Sequence, residues 1–349
     1  MEFREIVLKV TSVCNLNCSY CYVFNKGDKS YMTEPNMMND QITNILLERI
    51  ENYCNKNKIK RFLIIFHGGE PLLLKKTFYV NFKEKANEII KSTTLTLAMQ
   101  TNGTLLTDDW CELLQKLDIQ VGVSLDGTEK ASINRVFKKS KDPAYHKIIK
   151  GFETLQKYQP QASILSVINI NELPQDSYSL YKNLNIFLLD LLFPDTTYHI
   201  KDDAVGKVGK WLSEMFDIWY FDSDKNKPII RLFDIILNII LGDQRGNEVL
   251  GSNHNCAITV KTNGQIEPVD SLKICGDGYT KTNFNILENE LDDVENHQLM
   301  KLYYNAHQDD VLCNECKKCI IKNICGGGQL AHRFSSKNHF DNPSVYCND

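Results

Sequence analysis

Three cysteines stand in the run Cys14-Asn15-Leu16-Asn17-Cys18-Ser19-Tyr20-Cys21, close behind a short apolar segment. Thiolates are soft ligands, and three of them on one tight loop can hold three corners of a [4Fe–4S] cube. The fourth iron is then left without a protein ligand and is open to a small molecule. Zinc is the alternative for such a loop, but no further Cys or His lies close by to complete a tetrahedron.

A second set, Cys256, Cys275, Cys313, Cys316, Cys319, Cys325 and Cys347, lies toward the other end of the chain. The start, Met1-Glu-Phe-Arg-Glu-Ile, is charged and lacks a long apolar stretch, so no export signal is read and the protein is expected in the cytoplasm. Thiols stay reduced there, so metal ligation rather than a disulfide framework explains ten of the 12 cysteines. Cys54 and Cys111 sit inside helix-like segments and read as small buried hydrophobes. The Cys316-x2-Cys319 pair suits a zinc ribbon as well as an iron–sulfur site.

The elements that must position these residues follow from apolar periodicity. Strands are predicted at Ile6–Val10, Phe62–Phe66, Leu95–Met99, Gln120–Ser124, Ile164–Ile168 and Ile186–Phe193. Helices are predicted near Asp40–Asn55, Phe78–Ile90, Asp108–Leu117, Tyr145–Lys157 and Ser177–Leu184. The fold class is therefore α/β, a partial (β/α)6 TIM-like barrel over residues 1–195. A helical bridge (196–250) and a small cysteine-rich domain (251–349) follow. In the bridge, Gly206–Tyr220 reads as one helix. Ile229–Leu241 reads as another, buried on most sides, with Arg231, Asp234 and Asn238 on one face, which bars it from spanning a bilayer.

Each polar motif directly follows a strand: the cysteine loop the first, His67-Gly-Gly-Glu-Pro71 the second, Gln100-Thr-Asn-Gly103 the third, Ser124-Leu-Asp-Gly127 the fourth. The carboxyl ends of parallel strands form the active face of such barrels, so the four motifs should share one rim. Singly they are weaker signals. Gly-Gly-Glu-Pro is also an ordinary strand-end turn, and a lone arginine such as Arg135 is commonly a solvated charge.

With these motifs in this order the chain resembles the radical S-adenosylmethionine enzymes. The resemblance implies a [4Fe–4S] cluster on Cys14, Cys18 and Cys21, with S-adenosylmethionine on the open iron as the source of a 5′-deoxyadenosyl radical. It places Tyr20 near the adenine and Gly68, Gly69 and Glu70 beside the methionine amino group. By the same resemblance Gln100, Ser124 and Arg135 contact the cofactor's polar groups, with Arg135 suited to its carboxylate.

The run Cys316-x2-Cys319-x5-Cys325-Gly-Gly-Gly with a late Cys347 is similar to the SPASM domain of peptide-modifying radical enzymes. That similarity implies an auxiliary [4Fe–4S] cluster on those four cysteines. A second auxiliary cluster would draw on Cys256, Cys275 and the extra Cys313. Two of its usual cysteines are absent, for Asn263-Gly264 leads into Pro268-Val269 and the glycine run ends in Gln329. One or two auxiliary clusters are therefore expected.

Asp270-Ser-Leu-Lys273 and the ending His332-Arg-Phe … Phe340-Asp-Asn-Pro-Ser-Val-Tyr-Cys347 resemble maturases that build three-residue cyclophanes in ribosomally made peptides. The expected reaction removes a β-hydrogen from a precursor-peptide residue and joins that carbon to an aromatic ring. Asp277 is the candidate base, although an acidic loop residue is also an ordinary turn former. Rival readings are formylglycine formation as in anaerobic sulfatase maturases, thioether formation, and a non-catalytic iron–sulfur electron carrier.

A net charge of −4 and a pI near 6.1 leave no basic stripe, so neither nucleic acid nor an anionic membrane is expected as partner. The expected partners are the precursor peptide and an external electron donor. Because the first strand begins within a few residues of Met1, leader recognition is assigned to the barrel, the SPASM surface or a separate protein.

Overall fold

The computed structural model describes residues 1–200, 202–243 and 246–349, so three residues of the 196–250 bridge, at positions 201, 244 and 245, lie outside the described residues. Six parallel strands build the barrel wall: Glu5–Thr11 (β1), Arg61–Gly68 (β2), Thr94–Thr101 (β3), Ile119–Ser124 (β4), Ser163–Val167 (β5) and Leu188–Leu192 (β6). Five helices alternate with them: Asp40–Asn57 (α1), Lys76–Ile89 (α2), Asp108–Lys116 (α3), Tyr145–Gln156 (α4) and Pro174–Asn183 (α5).

Side chains of successive strand residues point to opposite faces, so one set packs under the helices and the other lines the interior. On β2, Phe62, Ile64 and Phe66 are buried, and Phe66 packs edge-on against Tyr79 and Phe82 of α2. The alternate residues Ile65 and His67 line a cavity of about 820 Å³ together with Val7, Ala98, Gln100 and Gly122. Register explains the lining, because Val7 lies beside Ile65, Ile65 beside Ala98 and Ala98 beside Gln120.

The bridge differs from its expected form. Ile229–Ile230 is a short strand (β7) paired with β6, and after the helix Val208–Phe221 (α6) the next helix starts only at Arg231 (Arg231–Ile240, α7). Nor is α7 buried on most sides. Only Leu232 and Phe233 are buried, while Ile240 and Leu241 are 60% and 83% exposed, because the helix lies along the outer edge of the sheet. Its apolar composition reads as depth only when the neighbours are unknown.

Two further strands had no counterpart in the periodicity. Ala257–Val260 (β8) lies parallel to β1 and Ile266–Glu267 (β9) folds back on β8, so the sheet order among the described residues is β7-β6-β5-β4-β3-β2-β1-β8-β9. The segment after Gly251 thus begins inside the barrel's own sheet. The rest of it is short helical turns, chiefly Gln298–Tyr304 (α8), Asn314–Lys317 (α9) and Lys322–Cys325 (α10). No helix among the described residues is long and apolar enough to cross a membrane.

Candidate functional site

Past β1 the chain runs directly into the cysteine loop, which is clamped by backbone bonds. Asn17 N–H donates to Val136 O at 2.8 Å, Lys138 N–H to Asn15 O at 2.8 Å and Cys21 N–H to Cys18 O at 3.0 Å. On its other side the loop meets Gly68 and Gly69. A Cβ on Gly69 would fall 2.1 Å from Val13 O, and one on Gly68 2.1 Å from Thr11 O. The missing side chains thus let the cysteine loop close on the strand end, and Gly69 N–H and Glu70 N–H reach Thr11 O and Val13 O at 2.9 and 3.0 Å.

Burial pushes the Cys14 thiol up to about 12 and the Cys18 thiol up to about 11, and it raises Cys21 as well. Backbone donors oppose this: Leu16 N–H points at Cys14 Sγ at 3.4 Å, and Val23 and Phe24 N–H at Cys21. The three thiols, each half-buried on one loop with such donors, fit three corners of a cube. A bound cation reverses the cost of burying thiolates.

Glu70 is fully buried and accepts from Leu72 N–H (2.9 Å), Thr101 Oγ1 (2.7 Å) and Asn102 N–H (2.8 Å). It ties the ends of β2 and β3 together. Burial lifts its carboxyl to about 7 against the pull of those donors. Asn102 then reaches the cysteine loop through Asn15 Oδ1 at 2.8 Å. On the inner wall Gln100 Nε2 donates to Ser124 Oγ at 2.8 Å, so those two expected site residues share one rim.

Arg135 is 6% exposed and its guanidinium forks onto Asp126, Nε to Oδ2 at 2.7 Å and Nη2 to Oδ1 at 2.8 Å. The carboxylate that Arg135 was expected to find in a ligand is thus supplied by the protein. Asp126 also accepts the Tyr20 hydroxyl and Val167 N–H (3.0 Å), and the guanidinium lies 5.5 Å from the Tyr20 ring centre. The half-buried Tyr20 and the buried Asp126 and Arg135 therefore form one unit behind the loop. Asp126 was visible only as a letter in Ser-Leu-Asp-Gly, since its partners lie on three other segments.

Another group beneath the loop joins the two ends of the chain. Lys9 pairs with Asp270, and its ammonium donates to His67 Nδ1 at 3.0 Å, which Gly68 N–H also approaches at 2.8 Å. Burial and the Lys9 charge hold His67 at about 3, so the imidazole is neutral with its proton on Nε2. Lys273 binds Asp28 at 3.1 Å and Lys261 pairs with Glu34 and Glu267, all of them buried. These ion pairs lock residues 28–34, just beyond Cys21, onto the C-terminal segment. Tyr22, beside Cys21, is half-buried near the charges of Asp270, Asp195 and Glu248, and burial with the Glu248 charge lifts Asp195 to about 7. Asp277 is exposed, and its Oδ1 accepts Lys29 N–H at 2.8 Å.

The C-terminal cysteines fall into two groups. Cys313 bonds to Cys316, whose thiol also feels Cys325, while Cys347 feels Cys325, Cys319 and Cys313. These five all-sulfur donors fit a cube held by four of them. Among the described residues no three Cys, His, Asp or Glu side chains close round a single point, at either end of the chain. Cys313 is hydrogen-bonded to Cys316, and burial raises the Cys275 thiol. Cys256 faces Glu5 and Arg4. At the two positions where cysteines were missing, Val269 is partly buried and Gln329 Nε2 donates to Glu248 Oε1 at 3.2 Å. Cys256, Cys275 and their surroundings do not fit a second auxiliary cluster. Cys54 and Cys111 are both buried, in the core.

Residues 8–178 match the Radical SAM superfamily. The serine-type anaerobic sulfatase-maturating enzyme of Bacteroides thetaiotaomicron is 28% identical, over 95% of this chain and 83% of its own length. The cysteine-type enzyme of Clostridium perfringens is 26% identical, over 98% and 92%. Among solved structures, native anSMEcpe with bound AdoMet superposes with a TM-score of 0.83 at 24% identity, covering 98% of this chain and 93% of that one. Streptococcus suis SuiB bound to precursor peptide SuiA gives 0.62 at 16%, covering 99% and 76%. These two structures share the fold.

Proposed function

We propose that this chain, whose residues 8–178 match the Radical SAM superfamily, is a radical S-adenosylmethionine enzyme that matures a peptide or protein by taking a hydrogen atom from a side-chain β-carbon. The observation that carries this reading is the shared rim. The half-buried Cys14, Cys18 and Cys21, the Gly68–Gly69 turn packed on their loop and the Gln100–Ser124 pair all follow or end the first four parallel strands, at their carboxyl ends. Relatives that mature sulfatases, similar over nearly the whole chain, support a peptide or protein as substrate.

When bound, S-adenosylmethionine on the reduced cluster supplies the 5′-deoxyadenosyl radical, which is the cofactor's own chemistry. The protein's residues position and seclude. Tyr20 is fixed by Asp126 so that its ring borders the loop, and Gln100 and Ser124 present polar groups from the inner wall. Ile65, Ala98 and Leu165 give the barrel's interior cavity its apolar lining beside His67 and Gln100. The auxiliary cluster belongs to Cys316, Cys319, Cys325 and Cys347, with Cys313 as a neighbouring thiol.

For the product, we read an intrapeptide C–C crosslink to an aromatic ring, favoured by the loss of two cysteines, at Val269 and Gln329, that the sulfatase-maturase pattern uses. The Asp270–Lys273 signature is weaker support, because both residues are consumed in buried ion pairs that hold the fold. Oxidation of a Ser or Cys to formylglycine is the second reading, favoured by the relatives. The reconstituted protein, given S-adenosylmethionine, reductant and a peptide encoded beside its gene without oxygen, decides between them. A cysteine-free segment that loses two hydrogens and resists fragmentation between the joined residues supports the crosslink. An aldehyde at Ser or Cys supports the second reading.

A further inference from the structure

Five cysteines stand at a C-terminal site that has four corners to fill, and the fifth is placed among the others rather than apart from them. Cys313 caps the start of α9 and Cys316 lies inside it, and residues three apart on a helix share one face. The two thiols are hydrogen-bonded and form one small apolar cluster with Leu312, Cys313 being 5% and Cys316 9% exposed. Cys319, beyond the end of α9, and Cys347, on a turn closed by its N–H to Ser344 O at 2.9 Å, are both exposed.

Packing fixes Cys313 there. A Cβ on Gly327 would fall 2.5 Å from Leu312 Cδ2 and 2.8 Å from Arg333 Nη2, so the bare glycine admits both the residue before Cys313 and the guanidinium. Lys317 N–H donates to Cys313 O at 3.0 Å, and Leu312 N–H to Gln308 O at 3.1 Å. The charge of Cys313 bears on Cys316, Arg333 and Cys347, so this thiol faces both the buried and the exposed members of the group. Cys54 and Cys111 show the contrast, for they fill the barrel core among apolar side chains. An exposed thiolate is the ligand most open to oxidation, and a fifth thiol already in the site competes for its corner at high effective concentration.

We infer that Cys313 is the reserve ligand of the auxiliary cluster and takes the corner of Cys347 whenever that exposed thiolate leaves. One iron–sulfur bond breaks and one forms, the proton of Cys313 ends on Cys347, and no electron moves. The exchange rests on the reading that Cys316, Cys319, Cys325 and Cys347 hold that cluster. It lets the cluster outlast the loss of an exposed ligand.

The test counts iron and records EPR spectra of the full-length protein, reconstituted without oxygen. Cys347→Ala is expected to keep about eight irons, with no three-iron signal and with a shifted spectrum for the reduced auxiliary cluster. Cys313→Val, which fills the buried volume and cannot bind iron, is expected to keep about eight irons and the wild-type spectrum. The double variant Cys313→Val/Cys347→Ala is expected to show a three-iron signal or to fall to about four irons, so that the two changes are far from additive. Cys54→Ala/Cys347→Ala, which removes an unrelated buried thiol, should keep about eight. Iron lost from either single variant overturns the inference alone. So does a double variant that keeps all its iron, a Cys347→Ala spectrum identical to wild type's, or a Cys54→Ala/Cys347→Ala chain that loses as much iron as the double variant. If Cys316→Ala/Cys325→Ala loses no iron, the cluster reading fails and the inference with it.

Discussion

Arg135 and Arg333 are both buried arginines beside cysteine clusters, yet their charges are met in opposite ways. Arg135 has a carboxylate, Asp126, in bidentate contact behind the N-terminal loop. Arg333 has none. It donates to four backbone oxygens, Gly327 O at 2.8 Å, Ala306 O at 2.7 Å, Gly326 O at 2.9 Å and Gly328 O at 2.7 Å. The anionic groups within its reach are the thiols of Cys316, Cys325 and Cys313. The N-terminal site is therefore charge-balanced by the barrel itself, whereas the C-terminal site is balanced only when its thiols are thiolates, as they are on a metal cluster. The first should keep its shape without iron. The second should depend on it.

That contrast breaks most visibly at Arg333. Arg333→Met strips the donors from four buried carbonyls and should cost on the order of 5 kcal/mol or more, read as loss of the C-terminal iron and a lowered denaturation midpoint. If the variant keeps full iron and stability, the arginine does not organise that site. Asp126→Asn leaves Arg135 buried without its counter-charge and should cost about 3–5 kcal/mol. Its mark is different, loss of 5′-deoxyadenosine formation with the C-terminal iron retained.

Gly69→Ala sharpens the same division at smaller scale. The new Cβ meets Val13 O at 2.1 Å, and displacing the loop should cost about 1–3 kcal/mol. Weaker S-adenosylmethionine binding, with the auxiliary cluster's EPR signal unchanged, is the expected result by titration.

His332 gives an effect that is absent at neutral pH and grows only in acid. Burial and the Arg333 charge hold its imidazole at about 3, and its Nε2 is buried without a partner. Its folded-state value lies below its ordinary one, so its stabilising contribution is complete above about 6.5 and is lost as pH falls toward about 3. His332→Phe removes that proton linkage. Relative to wild type, the variant's unfolding free energy should improve by about 1.4 kcal/mol for each pH unit below about 6.5. Parallel pH curves for the two proteins would show that His332 titrates normally.

Much of the barrel rim could be read in advance because each motif is a contiguous run at the end of a strand whose apolar pattern is plain. The cysteine loop, the glycine turn and the Gln100–Ser124 pair all lie where strand order puts them. What escaped was pairing across distance. Asp126 finds Arg135 because residues 134–138 fold over the cysteine loop, and Lys9 finds Asp270 because β8 lies against β1. No local pattern carries either fact. The strands β8 and β9 are too short to show a period, and the apolar run of α7 hid its exposed end. Cys313 was offered as a third thiolate beside Cys256 and Cys275, and its hydrogen bond to Cys316 across α9 had no sign in the spacing.

Iron content measured beside 5′-deoxyadenosine formation tests the division of labour most directly. The wild-type chain should hold about eight irons, and replacing Cys14, Cys18 and Cys21 by alanine should leave about four irons and no 5′-deoxyadenosine. Replacing Cys316, Cys319 and Cys325 should also leave about four, with uncoupled 5′-deoxyadenosine still formed. Radical formation that survives loss of the N-terminal cysteines, or an iron content indifferent to the C-terminal ones, would contradict the account.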